Sequence, residues 1–385
     1  MSYAGGIAAY GYVDIENCSV IADGTGIITA KERNAVGGIC AWLLENDNSI
    51  KRCTAENLNL TGWANIGSIA GFVHYNNVVE NCSAKNINLV KMRVDGNPSI
   101  GALFGGWCYG ANKTITVSNN KVEDVTMSGN AIAYDFAKSE LYGSEYYGAT
   151  TDIFVEDNNS YDYESNVVVV QVAKDAATLT AALTKGGNIV VTSDISVSET
   201  TFVVPAGVTA VLNMNGKTIE GTFNNTSNLN KNLFDIKGNL TVDGEGLITM
   251  NTTGLNMGWN AMSCNLCVNG GDLTVNDTTI VNKGGTDMAY AIDTNPWNTS
   301  NNQVLDVVLN GVKVESTYRG IRVRDNGPYL AKLVAIDSDI DEIWYQEYSS
   351  GDNVNKGNYG VLVEVVLNNT TADTSRVNSE VLTIQ

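Results

Sequence analysis

The chain has 385 residues, 43% of them hydrophobic, with four prolines, 38 glycines and a formal net charge of −19. That charge is wrong for nucleic acid or an anionic membrane surface, both of which need clustered Lys and Arg. No apolar run of about 18 residues is present to span a bilayer, and the single histidine, His74, excludes a multi-histidine zinc site and forces any Ser-His-Asp triad through one residue.

Residues 1–130 are built from a repeat. Gly5-Gly6-Ile7, Gly37-Gly38-Ile39, Gly67-Ser68-Ile69 and Gly101-Ala102-Leu103 each open a unit. Each is answered downstream by Ile15-Glu16-Asn17-Cys18, Ile50-Lys51-Arg52-Cys53, Val79-Glu80-Asn81-Cys82 and Val117-Ser118-Asn119-Asn120. Alternation such as Asn57-Leu58-Asn59-Leu60 and Asn86-Ile87-Asn88-Leu89 follows, as in half-buried strands. Glycines let the chain turn sharply and let adjacent coils approach. The alignment predicts that Cys18, Cys53 and Cys82, with Asn120 in the fourth unit, stack as a buried ladder. These glycine-rich openings resemble the GLUG repeat of bacterial surface proteins. The resemblance implies an extracellular β-rich repeat with no known chemistry.

The seven cysteines are an odd number at irregular separations, which is not a disulfide framework. Cys264-Asn265-Leu266-Cys267 has CxxC spacing but no second pair, and it lies in a strand-like segment where a small buried side chain is the expected role. No signal peptide is visible, since Met1-Ser2-Tyr3 leads straight into repeat sequence. The expectation is a chain without its leader, or one that needs none, as in a virion.

Residues 131–166 break the period. Tyr134, Tyr142, Tyr146, Tyr147, Tyr161 and Tyr163 crowd in beside acids such as Glu140, Asp157 and Glu164. The stretch is expected to be a connector or inserted loop, its tyrosines packing back on the scaffold or offering flat faces to sugars.

Beyond it, Asp175 is placed to cap a short helix with Leu179 and Leu183 on one face, closed by Gly186-Gly187. A phrase of alternating residues and a polar turn then recurs at roughly thirty-residue steps. It is marked by Asn215, Asp243, Asn276, Asn310, Asp337 and Asn368. Short strands returning to one corner at that period mark a solenoid, in which each coil contacts only its neighbours. The order of helix, Gly-Gly, strand, Pro205-Ala206-Gly207-Val208 and Asn213-Met214-Asn215-Gly216 resembles the pectin-lyase-like right-handed parallel β-helix. That resemblance implies fold rather than function, because such proteins include polysaccharide lyases, glycoside hydrolases, adhesins and phage tailspikes.

Three segments are placed to meet beside one sheet: Gly284 to Trp297, Tyr318 to Asp325, and Asp337 to Tyr348. Asp287, Tyr290, Asp293 and Trp297 of the first, Tyr318 of the second and Trp344 of the third are the candidate ligand-binding residues. Period-two spacing puts Arg322 and Arg324 on one strand face, and lets Asp337, Asp339 and Asp341 project together. Acids near arginines suit a calcium-assisted lyase, in which the cation neutralises a uronate and an Arg takes the α-proton. Against this, Asp337 sits in the repeated corner phrase, where Asn and Asp are turn residues, and the arginines can simply pair with these acids at the surface. The tryptophans Trp259, Trp297 and Trp344 fall in loop-like stretches, to cover the sheet or to stack on sugar.

The patterns together predict an all-β chain: a right-handed parallel β-helix with coils of about 30 residues, one short capping helix and a length of roughly 60 Å. It divides into a GLUG-like segment 1–130, the connector 131–166 and a pectin-lyase-like segment 167–385. The expected function is a non-catalytic extracellular or cell-surface protein presenting loops for adhesion or glycan binding. A polysaccharide lyase or glycoside hydrolase is the alternative, and a phage tailspike or receptor-binding segment a third. No cofactor is expected, Ca2+ at Asp337, Asp339 and Asp341 being the one metal the acids suggest. Partners are expected to be a glycan or a host or cell-surface component, with no nucleic acid and no membrane insertion; the oligomeric state is open.

Overall fold

The computed structural model describes residues 2–30, 35–44, 47–92, 100–108, 114–132, 142, 144–145, 154–224, 230–252, 262–284, 288–294, 304–325, 330–347 and 363–385. The chain forms two compact units, Met1–Val170 and Gln171–Gln385. Strands dominate both, every strand pairing described is parallel, and one α-helix is present among the described residues. This is an all-β parallel β-helix.

In the first unit each coil contributes up to four strands. The second coil, for example, carries Val36–Gly37, Cys40–Leu43, Ser49–Lys51 and Thr54–Gly62. The opening glycines are columnar: Gly5 pairs with Gly37, Gly37 with Gly67, and Gly67 with Gly101. A Cβ added to Gly37 would lie 2.0 Å from the Cys40 carbonyl oxygen and 2.7 Å from the Gly71 nitrogen, so this turn closes only without a side chain.

The cysteine ladder forms, and it follows one rule. Cys53 Sγ donates to the Ile15 carbonyl of the preceding coil (3.6 Å) and Cys82 Sγ to that of Ile50 (3.4 Å). Asn120 Nδ2 donates in the same way to Val79 O (2.9 Å) and Asn159 Nδ2 to Val117 O (2.9 Å). Asparagine does one thing more: Asn120 Oδ1 accepts the Cys82 backbone N–H (2.9 Å) and Asn159 Oδ1 that of Asn120 (2.9 Å). Cys53 and Cys82 are buried, whereas Cys18 is half-exposed. That corrects the expectation of three buried thiols. The Cys108 side chain lies outside the described residues.

Beside this ladder runs a column of left-handed backbone, with Asn17, Arg52, Asn81, Asn119 and Asn158 at φ values of 55, 52, 55, 53 and 51°. Asn tolerates that conformation and Arg does not, having no short side chain to bond locally.

The stretch 131–166 is only partly a connector. Phe154–Asp157 pairs with Ile115–Ser118, and Ser160–Ala173 pairs with Lys121–Ile132, so residues 154–166 belong to a further coil. Tyr142 stacks on Phe154 with ring centroids 4.2 Å apart and gives its hydroxyl proton to Glu156.

The second unit opens with the helix Ala176–Lys185. Asp175 caps it, its Oδ1 accepting from Thr178 N at 2.8 Å, and Gly186 closes it at φ 77°. Leu179, Ala182 and Leu183 are buried against the first strands of the unit, as the sequence predicts. The apolar positions stack in register: Leu240 on Leu273, Leu273 on Val307, Val307 on Leu333 and Leu333 on Val365. Val242, Val275 and Leu309 form a second column. Each of these buried side chains contributes roughly 1.5–3 kcal/mol of hydrophobic free energy. The corner column differs slightly from the sequence markers, because Asn213 rather than Asn215 pairs with Asp243, and Ile336 rather than Asp337 with Asn310.

Arg52 holds left-handed backbone at a cost its neighbours avoid, while its ion pair to Glu16 joins two side chains that are 49% and 43% exposed and is worth little. Arg52→Asn should therefore stabilise the first unit by about 0.5–1 kcal/mol. A urea-unfolding midpoint that falls in the variant would show that the Arg52–Glu16 pair outweighs the backbone conformation.

Candidate functional site

The site lies on the outer face of four neighbouring strands of the second unit, Met262–Val268, Ala289–Thr294, Arg319–Asp325 and Asp339–Glu347. Their register sets Leu266, Ile292, Ile321 and Ile343 in one inward column of the core. One residue on, Cys267, Asp293, Arg322 and Trp344 form the adjacent outward column. Alternation along the strand then returns Arg324 to the outer face beside Arg322.

Asp293 is fully buried and holds both arginines. Arg322 donates to it from Nε (2.7 Å) and Nη2 (3.0 Å), and Arg324 from Nε (3.2 Å) and Nη2 (2.6 Å). Arg322 also lies over the Tyr290 ring, its guanidinium carbon 4.1 Å from the centroid, and donates from Nη1 to the Tyr290 hydroxyl at 3.3 Å. Gln346 Oε1 accepts from Arg322 Nη1 at 3.3 Å, and Met262 Sδ lies 2.9 Å from Nη2. Arg324 donates a further bond from Nε to the Thr294 carbonyl (3.2 Å).

Burial alone would push the Asp293 carboxyl up, but Arg322 and Arg324 hold it below the usual carboxylate range. Burial would likewise lower Arg322, and Asp293 more than reverses this, so the guanidinium stays charged. Burial pushes the Tyr290 phenol up, and it raises the thiols of Cys264 and Cys267 behind it. These thiols are held protonated and unreactive.

Several expectations are thereby corrected. Arg322 and Arg324 do share a strand face, but they are buried and bound to Asp293 rather than paired at the surface with Asp337, Asp339 and Asp341. Tyr290 and Asp293 are fully buried, Tyr290 under the Arg322 guanidinium and Asp293 between Arg322 and Arg324. The three aspartates are exposed: Asp337 sits at a corner with φ 49° and accepts from Asn369 Nδ2 at 2.5 Å, while Asp339 and Asp341 lie in the strand Asp339–Glu347, Asp341 accepting from Ser316 N at 2.8 Å. No three His, Cys, Asp or Glu side chains among the described residues form a group able to hold a metal ion, these aspartates included. Asp287, Trp297 and Trp259 lie outside the described residues.

Tyr318 and Trp344 both pack against Tyr290, at the half-buried margin of the cluster, and Trp344 is a strand residue rather than a loop one. Between them sits Arg319, which the sequence reading missed. Its guanidinium carbon lies 4.0 Å from the Trp344 ring centroid and 4.7 Å from that of Tyr318. Glu342 approaches Arg319 Nε at 3.8 Å and is bound more closely by Arg376 at 2.9 Å. Arg319 Nη1 has no hydrogen-bond partner among the described residues.

The first unit carries a second aromatic surface on its outer face. Tyr10, Trp42 and Phe72 are register partners on successive coils. Trp42 stacks on Phe72 with centroids 4.2 Å apart, and Tyr3 packs against both Tyr10 (4.9 Å) and Trp42 (5.6 Å). Tyr10 is 52% exposed. His74, the sole histidine, packs its ring 5.3 Å from Phe72 and 5.9 Å from Trp42. A signal for this column existed: an aromatic stands at the same distance from the opening glycine in Gly5…Tyr10, Gly37…Trp42 and Gly67…Phe72.

Compared with known proteins, the sequence matches no family model and no curated protein.

Asp293→Asn should destabilise the second unit by about 3–5 kcal/mol, because two buried guanidiniums lose their carboxylate. The sign with pH follows from the depressed carboxyl. Its contribution is complete above the ordinary Asp value of about 4 and is lost as pH falls through the lower folded value. Denaturant unfolding of the parent and the variant across the acid range checks this, with the Asn form lacking that part of the acid sensitivity. Equal acid sensitivity would mean that Asp293 is not held ionised.

Proposed function

We propose that the chain is a non-catalytic extracellular or cell-surface solenoid that binds glycans through aromatic faces, one on each unit. The observation that carries this is the outer aromatic column of Tyr10, Trp42 and Phe72, with Tyr3 packed against Tyr10 and Trp42 and with Tyr10 half open to solvent. Neighbouring strands are spaced about 4.8 Å apart, so a sugar ring laid over one aromatic meets the next without any loop having to order. The second face is Tyr318, Arg319 and Trp344, where the Arg319 guanidinium lies between two half-buried aromatic rings and brings a positive charge to the margin of the sheet. A scaffold of stacked coils presents both faces already formed, which suits weak, multivalent adhesion better than turnover.

The same proposal places the first unit with GLUG-like repeats, on its column of glycines, and the second with the pectin-lyase-like β-helices, on its capping helix and three-faced coils. Lyase chemistry is disfavoured by the sealing of Arg322 and Arg324 around Asp293, which leaves neither guanidinium free to take a proton.

A glycan array read alongside assays for reducing ends and unsaturated products tests the proposal. Tyr10→Ala and Trp344→Ala should each weaken binding of a positive glycan by about 1–2 kcal/mol, as loss of one aromatic contact does. Sugar release by the parent protein, or unchanged affinity in both variants, would overturn it.

A further inference from the structure

The thiol column of the first unit holds chemistry that glycan binding does not use. Cys18, Cys53 and Cys82 stand opposite one another on successive coils. Ser19 pairs with Thr54 and Thr54 with Ser83 immediately after them; Glu16 pairs with Lys51 and Lys51 with Glu80 just before. Backbone bonds fix the facing segments: Asn17 N donates to Lys51 O at 3.0 Å and Thr54 N to Cys18 O at 2.9 Å. Directly opposed positions on parallel neighbours are about 4.8 Å apart, inside the Cα separation of roughly 4.4–6.8 Å that a disulfide spans. All three cysteines are free thiols in the structure.

The column is not symmetric. Cys82 is enclosed between coils, and its hydrogen bond to Cys53, followed by burial, pushes its thiol up, whereas Cys18 is half-exposed, its Sγ donating to Glu16 O at 3.3 Å. Cys53 lies between them, its thiol lowered chiefly by a hydrogen bond from the Cys82 side chain, with the Cys18 side chain acting in the same sense. A disulfide between Cys18 and Cys53 needs only a small adjustment of Cβ positions.

We propose that Cys18 and Cys53 form a redox clasp that closes the first coil onto the second in the presence of a low-molecular-weight disulfide such as oxidised glutathione. The Cys18 thiolate, accessible from solvent, attacks the glutathione disulfide. A mixed disulfide forms on Cys18 and one glutathione thiolate leaves. Cys53 then attacks Cys18 Sγ, the Cys18–Cys53 bond forms, and the second glutathione leaves as thiolate. Two protein thiols are oxidised, one glutathione disulfide is reduced to two thiols, and the two protons pass to the departing thiolates. Burial of Cys53 is no obstacle, because only Cys18 has to meet the oxidant.

The test is to treat the reduced, folded full chain with glutathione disulfide, trap free thiols with an alkylating agent, and map peptides without reduction. The expected product is a peptide pair joining Cys18 to Cys53. It should be lost in Cys18→Ser and retained in Cys82→Ser, with amide exchange of the Ser19–Ala30 strand slowed about tenfold or more. Cys18 is half-exposed, so Cys18→Ser is the variant that keeps the fold if Cys53→Ser does not. A stable mixed disulfide on Cys18 with Cys53 still alkylated would overturn the proposal. So would a Cys53–Cys82 product, or Cys18 joined to Cys18 of another chain.

Discussion

Translation of the chain onto itself is the constraint on which everything else rests. Each coil lays its strands about 4.8 Å from the last, so a side chain at any position must tolerate its equivalents above and below. Apolar residues satisfy this inside, where Leu240, Leu273, Val307, Leu333 and Val365 share one column. Asparagine satisfies it at corners, where its amide donates to one carbonyl while its oxygen accepts from a backbone N–H, as Asn120 and Asn159 do. Charge does not satisfy it, because like charges would stack. The buried Asp293–Arg322 step is an exception that fits the rule, an acid facing a base on the next coil, as Glu16, Lys51 and Glu80 do in the first unit.

That exception costs free energy unless every donor is met. Two arginines and one aspartate removed from water lose several kcal/mol of solvation each. The bidentate geometry of Arg322, the Tyr290 face beneath it and the Thr294 carbonyl under Arg324 offset the loss. The cluster ties four successive coils together on their outer face, where the hydrophobic columns do not reach.

The repeat, the columns and the capping helix were legible because each depends on residue types at fixed spacing. Val242 over Val275 and Asp175 at the helix start needed only period and capping rules. Register was harder, since two adjacent polar residues compete for one left-handed position: Asn215 takes it itself, whereas in the next coil Gly244 does and Asp243 stays in the strand. The buried cluster was legible only in its arginines. Asp293 reads as a loop acid beside Asn295 and Pro296, and nothing local says that it lies under Arg322 from a later coil. Arg319 carried no signal at all, because its neighbours Tyr318 and Trp344 come together only through sheet pairing.

Columnar equivalence also bears on how such a chain changes length. Thr54 and Ser83 are register partners that follow Cys53 and Cys82, with the same pattern of sulfur-to-carbonyl bonds before each. Excising residues 54–82 would seat Ser83 where Thr54 now stands and leave its neighbours on either side facing residues of the kinds they already face. An excision that removed part of a coil would shear every column at once. The first unit is therefore graded in whole coils: its reach is open to duplication and loss during evolution, while its cross-section stays fixed.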